Sequence, residues 1–177
     1  MAKLNKEAQE AVANAASNFL ALPDCVLHAR LRDVDPTREG KNSKAPYWAW
    51  EYEVVEDETF VVDNPDYDSK NPKSKKTLEV RSLNRRLWNN TSLSEAAAFS
   101  MERTFRAHGV PIDTDTDEIL GDIVKLVIGR RVIEEGDRAG EVVNEIKNLK
   151  PADPEWKEKA GKERDDRKHI DDIFAPG

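Results

Sequence analysis

The stretch DCVLHARLRDV, residues 24–34, alternates from end to end. Cys25, Leu27, Ala29 and Leu31 fall on one face, and Val26, His28, Arg30 and Arg32 on the other. A period of two is the signature of a strand with one buried face. YWAWEYEVV, residues 47–55, repeats the pattern, setting Trp48, Trp50, Tyr52 and Val54 against Tyr47, Ala49, Glu51 and Glu53. The ring-rich face is the better candidate for the interior, at least for Trp50 and Tyr52. Between the two lies DPTREGKNSKAP, whose Pro, Gly, Asn and Ser predict a loop.

Working outward, TLEVRSLNRRLW (residues 77–88) reads as a third strand, with Arg81, Leu83 and Arg85 on one parity. The short run Phe60–Val62 either extends the second strand or starts a hairpin, and DNPDYDSKNPKSKK after it is a polar loop. A helix follows. Ser92 or Ser94 can cap it, with Glu95 three residues after Ser92 as in a capping box. Ala97, Met101, Phe105 and His108 line one side with Ala98 and Phe99 near the stripe, and Gly109 and Pro111 end it. DIVKLVIGRRVI (122–133) and EVVNEIKNL (141–149) are two further strands joined by the turn EEGDRAG. The order is strand, strand, strand, helix, strand, strand. It predicts an all-β domain with accessory helices, a five-stranded Greek-key barrel of the OB type with the helix between strands 3 and 4. An SH3-like barrel and an α+β sandwich compete with it.

The flanks differ. Residues 1–22 place Leu4, Ala8, Ala11, Val12, Ala15 and Phe19 at helical spacing and predict an amphipathic N-terminal helix. Pro151 and Pro154 are read as ending regular structure, and the charged residues 153–177 as a largely disordered tail. The domain therefore spans 23–152.

No window is apolar for the ~20 residues of a membrane span, and the N-terminus lacks an apolar signal region. One cysteine, Cys25, allows neither an internal disulfide nor a cysteine-built metal site, which fits a reducing cytoplasm. No metal or other cofactor is expected. His28, His108 and His169 show no catalytic spacing, DTDTDE lacks the glycine and terminal glutamate of a calcium loop, and no glycine-rich phosphate loop occurs. The expectation is a protein that is not an enzyme.

Several stretches together resemble a family of small phage and prophage proteins, catalogued mainly as a domain of unknown function, whose genes often sit near phage recombination and replication genes. The likeness covers roughly residues 24–152. It rests on a basic pair before an aromatic (Arg85, Arg86, Trp88), a helix ending in Ala107-His108-Gly109, the Leu120-Gly121 step, Asn144-Glu145-Ile146-Lys147, and Lys150-Pro151. The resemblance implies an OB-like fold and a single-strand-binding role in phage DNA replication or recombination, in the cytoplasm of the host cell. A looser likeness joins Asp171, Asp172, Ile173 and Phe174 to the acidic, Phe-ending tails through which single-strand-binding proteins recruit partners. Here Ala175, Pro176 and Gly177 follow the Phe.

A groove for single strands needs cations for phosphates and flat rings for bases. The candidates are Arg30 and Arg32 on the first strand, Arg38, Lys41 and Lys44 on the first loop, Lys73, Lys75 and Lys76 on the second, and Arg81, Arg85 and Arg86 on the third strand. Tyr47 and Trp48 are the ring candidates at the rim of the second strand, and Trp88 either stacks on bases or packs under the helix. Against this, Glu51 and Glu53 repel phosphate, and the formal net charge is -7. That charge suits the alternative, a protein-interaction module or DNA-mimicking inhibitor that works through its acidic surface. Nothing in the sequence specifies the oligomeric state.

Overall fold

The computed structural model describes residues 3, 5–7, 20–40 and 46–162. Seven strands run in chain order: β1 (Cys25–Glu39), β2 (Pro46–Val54), β3 (Thr59–Asp63), β4 (Thr77–Arg81), β5 (Arg86–Ser92), β6 (Ile123–Val132) and β7 (Val142–Pro151). Helix α1 (Ala98–Ala107) lies between β5 and β6 in the chain, and residues 154–162 form α2. The fold is mostly β. Five strands make one antiparallel sheet in the order β5-β2-β1-β6-β7, and β3 and β4 pair as a separate two-stranded sheet.

Alternation places the core as expected. Leu27, Ala29 and Leu31 of β1, Trp50, Tyr52 and Val54 of β2, and Val124, Leu126 and Ile128 of β6 are all buried on the same inner face. Trp48 packs against this cluster at its edge. Helix α1 adds Met101, Phe105 and Ala107, and packs against the two edge strands, β5 and β7. Burying these side chains contributes roughly 1.5–3 kcal/mol for each large one. Among the described residues no helix is long and apolar enough to cross a membrane.

The structure departs from the sequence reading in five places. First, β1 continues to Glu39, so the first five residues of the expected loop are strand, paired with β2 as far as Glu39↔Pro46. Second, residues 77–88 are not one strand. The chain turns at 82–85, where Ser82 is fully buried and Asn84 takes φ 67. Ser82 Oγ accepts from the Glu58 amide at 2.8 Å and donates to the Glu56 carbonyl at 2.5 Å, which ties the turn to the β2–β3 connection. Third, α1 has no capping box. Ser92 Oγ accepts from the Ser94 amide, a short 3-10 turn (Glu95–Ala97) precedes the helix, and Phe99 is 82% exposed rather than near the buried stripe. Gly109, at φ 73, ends the helix as read.

Fourth, residues 154–162, expected to be disordered, are the helix α2. Pro154 stands at its start, after Asp153, whose carbonyl accepts from the amides of Trp156 and Lys157. Trp156 stacks on His28 at 5.0 Å, Ala160 is fully buried, and Lys125 Nζ reaches Asp153 Oδ1 at 2.9 Å. The outer face of β1 is therefore covered around His28. Fifth, residues 20–22 are not helical. They lie against β6 and β7, where Asn144 accepts from the Leu22 amide and donates to the Leu22 carbonyl, both at 2.8 Å. The rest of the expected N-terminal helix and residues 163–177 lie outside the described residues, apart from a helical step at 6–7.

Candidate nucleic-acid interface

The two edges of the five-stranded sheet face one another across a groove of about 560 Å³. One wall is β5, with Arg86, Trp88 and Asn90 pointing outward. The other is the β6–β7 hairpin, with Arg131, Ile133 and Arg138. Alternation explains the first wall: Leu87 and Thr91 turn inward and are buried, so the residues of opposite parity must turn out. Trp88 is 55% exposed, which is a large apolar ring left in water. Register explains the second wall. Antiparallel pairing of Arg130↔Asn144 through Val132↔Val142 builds the hairpin and brings Arg131 and Arg138 to the groove, although both are more than forty residues from Trp88 in sequence.

The groove's cations are held in place. Arg86 reaches Glu51 at 2.9 Å and Glu53 at 3.6 Å, Arg138 reaches Glu141 at 2.8 Å, and Arg131 reaches Glu145 at 3.8 Å. Glu53 is also bonded by Arg32 at 3.2 Å. The two acids that count against phosphate on β2 are thus each bound to arginine. A guanidinium offers five donors, and a carboxylate occupies only one or two of them.

Other sequence candidates are placed elsewhere. Arg30 is 7% exposed and donates to the Gly121 carbonyl at 3.2 Å, so it braces β1 instead of offering its charge on an open face. Arg85 does not share a face with Arg81. It is half-buried, burial lowers its pKa, and it donates to the Leu20 carbonyl at 2.8 Å, which anchors the N-terminal segment. Arg81 lies on β4, where Asp57, bonded at 2.5 Å, raises its pKa. Arg38 is exposed on β1 and paired with Asp35 at 2.8 Å. Lys73, Lys75 and Lys76 are exposed in the β3–β4 loop. That loop is ordered by its own side chains: Asp68 Oδ1 accepts from the Lys70 amide and Asn71 Oδ1 from the Lys73 amide. Tyr47 and Trp48 are half-buried near the start of β2. Lys41, Lys44, Asp171, Asp172, Ile173 and Phe174 lie outside the described residues. No local pattern in the sequence singles out Arg131 and Arg138, because only strand register brings them to Trp88.

A second polar cluster lies in the core. Tyr52 Oη is hydrogen-bonded to His108 Nε2 at 2.8 Å, and His108 Nδ1 donates to the Asp122 carboxylate at Oδ2, also at 2.8 Å. Lys157 of α2 completes the chain, 2.7 Å from the same carboxylate oxygen. Burial drives the Tyr52 hydroxyl well above its ordinary pKa. It also pushes Asp122 upward, but the bonds from His108 and Lys157 outweigh it and leave the carboxyl below its ordinary value. Hydroxyl, imidazole and carboxylate stand in the order of a nucleophilic triad. Tyr52 is nevertheless fully buried, with His108 at 4% and Asp122 at 2% exposure, so the hydroxyl faces core rather than substrate. The cluster satisfies buried polar groups and ties α1, β2 and α2 together. Cys25, whose thiol burial pushes up to about 11, has little thiolate at neutral pH. Among the described residues no group of three or more His, Cys, Asp or Glu could hold a metal ion. Compared with family models, curated proteins and solved structures, the chain finds no match.

Proposed function

We propose that this protein binds single-stranded DNA along the groove between β5 and the β6–β7 hairpin, and that it does so in phage DNA replication or recombination. The observation that carries the reading is Trp88, more than half exposed on the groove wall, with Arg86 beside it and Arg131 and Arg138 opposite. An exposed indole flanked by guanidinium groups is the pairing that stacks a base and contacts its phosphates, with little regard for sequence. The sheet order supports it. With the β3–β4 hairpin set aside as an insertion, β5-β2-β1-β6-β7 reads 3-2-1-4-5, the Greek-key order of an OB barrel. The groove then lies where OB folds bind oligonucleotides, on the third strand and the loop between the fourth and fifth. The phage setting rests on the sequence resemblance alone.

The test is a titration of fluorescein-labelled oligo-dT at low and moderate salt, following anisotropy and tryptophan fluorescence together, with Arg86→Glu and Trp88→Phe in parallel. Binding that weakens with salt, quenches tryptophan, loses that quench in Trp88→Phe and collapses in Arg86→Glu is the expected result. Absence of binding at low salt would overturn the reading. A second reading has one observation in its favour: Asp113, with Asp117 and Glu118 of the Asp115-capped turn, makes an exposed acidic patch. An acidic docking surface would leave oligo-dT unbound and Arg86→Glu without effect on a protein partner.

A further inference from the structure

Helix α2 does more than cover β1: it walls a second cleft that opens on the same face of the sheet as the groove. This cleft has a volume of about 360 Å³, and its lining includes Arg30, Arg32, Lys159, Asn84 and Trp156, with Glu53 as its acid. Three cations thus share it with one carboxylate, and Glu53 is itself bonded by Arg32 and Arg86. The indole of Trp156 offers no open face for a base. His28 stacks on it at 5.0 Å, and Lys159 Nζ lies 4.3 Å from the ring centroid. The cleft is therefore suited to anions and not to rings.

Its position follows from register. Arg86 of β5 pairs with Glu53 of β2, and Glu53 pairs with Arg30 of β1. The row Arg86–Glu53–Arg30 crosses the outer face of three neighbouring strands, a span of roughly 10 Å at ~4.8 Å per strand. Arg86 belongs to the groove and Arg30 to the cleft, so the two are joined by this row.

We infer that the single-strand track does not end at β5. It crosses the sheet over Glu53 into the cleft beneath α2, where Arg32 and Lys159 contact the phosphodiester backbone. This rests on the groove reading above and adds to it a second, ring-free segment of the footprint, to which α2 contributes a cation. Arg30 lines the floor of the cleft, where the Gly121 carbonyl holds it.

The experiment compares oligo-dT of about 5 and about 16 nucleotides, a span that covers the site sizes of OB folds, on the full chain. The unaltered protein should prefer the long oligonucleotide and show a steeper salt dependence with it. Lys159→Gln should lower the long-over-short affinity ratio and reduce the long oligonucleotide's log–log salt slope by about 0.7 for each phosphate that is no longer neutralised. Over a fourfold rise in salt, that is about 2.6-fold less weakening per phosphate. Lys159→Arg should restore both. Lys162→Gln, on the same helix but outside the cleft, should change neither. Thermal melting of each variant confirms that α2 stays docked. If the unaltered protein binds both lengths with one slope, or if Lys159→Gln leaves the ratio and the slope unchanged, the inference fails and the groove reading stands. If the unaltered protein binds neither length, the groove reading fails and takes the inference with it.

Discussion

Lys157→Met is the substitution that best probes whether α2 is part of the fold. Lys157 Nζ lies 2.7 Å from Asp122 Oδ2 and 3.4 Å from the His108 carbonyl, so its removal takes away one of the groups that hold a carboxylate only 2% exposed. Methionine keeps the aliphatic stem, which isolates the loss of charge. Removing one partner of a buried pair costs about 3–5 kcal/mol. The lysine side chain keeps 31% exposure, so water can take over part of its role, and about 2 kcal/mol is the reasonable loss. For a domain of this size, 1 kcal/mol moves Tm by roughly 2–4 °C, which gives a fall of about 4–8 °C. The pH dependence has a definite sign. Asp122 titrates below its ordinary value in the folded state, so its contribution is present above the unfolded value and is lost as pH falls through the folded one. In Lys157→Met one cause of that lowering is gone, so the acid limb of the stability curve moves to higher pH. The difference between the two proteins should be full at neutral pH and shrink once Asp122 is protonated. Urea denaturation between about pH 3 and about pH 8, with Tm measured alongside, reads all of this. Equal midpoints at neutral pH, or a difference that persists unchanged at the acid end, would refute the reasoning.

Two further substitutions separate binding from architecture. Trp88→Ala should weaken oligo-dT binding by about 5- to 150-fold, since one base stacked on an aromatic ring contributes about 1–3 kcal/mol. Because Trp88 is mostly exposed, the urea midpoint should move by less than about 0.5 kcal/mol, and a large destabilisation would mean the ring packs rather than binds. Asn144→Ala should do the opposite. It strands the buried Leu22 amide and carbonyl and leaves the Gly129 carbonyl without its 3.1 Å bond, for a loss of about 1–3 kcal/mol in urea at an unchanged m value.

Where a local period meets a solvent boundary, the sequence is readable. The inner faces of β1, β2 and β6 and the stripe Met101–Phe105–His108 follow from alternation or helical spacing alone. The break inside TLEVRSLNRRLW is not readable in this way, because no Gly or Pro interrupts it. The turn depends on Ser82 finding two backbone partners from the β2–β3 connection, and Asn84, one of the few residue types that tolerates positive φ, is its only local sign. Helix α2 carries a legible signal with two meanings. Pro154 reads as a stop, yet Asp-Pro-Glu at 153–155 is also an N-cap, a first-turn proline and an acidic first turn. What decides between stop and start lies far off in sequence, in His28 waiting for Trp156 and Asp122 for Lys157. The site is half legible for the same reason. Arg86 and Trp88 are neighbours on one strand, while Arg131 and Arg138 arrive by long-range pairing, and Arg30 and Arg85 turn out to serve the chain's own carbonyls.

The net charge of -7 then bears on how such a groove would work rather than on whether it exists. Arg86, Arg131 and Arg138 each have a carboxylate within 4 Å, so the groove's field at long range is close to neutral and cannot draw DNA from a distance. Those same carboxylates hold the guanidinium groups in place, so less side-chain entropy is lost when a phosphate meets their remaining donors. The exposed lysines of the β3–β4 loop have no ion-pair partner among the described residues, and are cations still able to act at a distance. Attraction and retention should therefore be separable. Replacing Lys73, Lys75 and Lys76 with glutamine should slow association and flatten its salt dependence while leaving dissociation nearly unchanged, as rim charges do. Replacing Trp88 should speed dissociation at a nearly constant association rate. Stopped-flow anisotropy resolves the two rates. Equal effects of both changes on the dissociation rate would mean that loop and groove form one binding surface, and the division of labour argued from their ion pairing would be wrong.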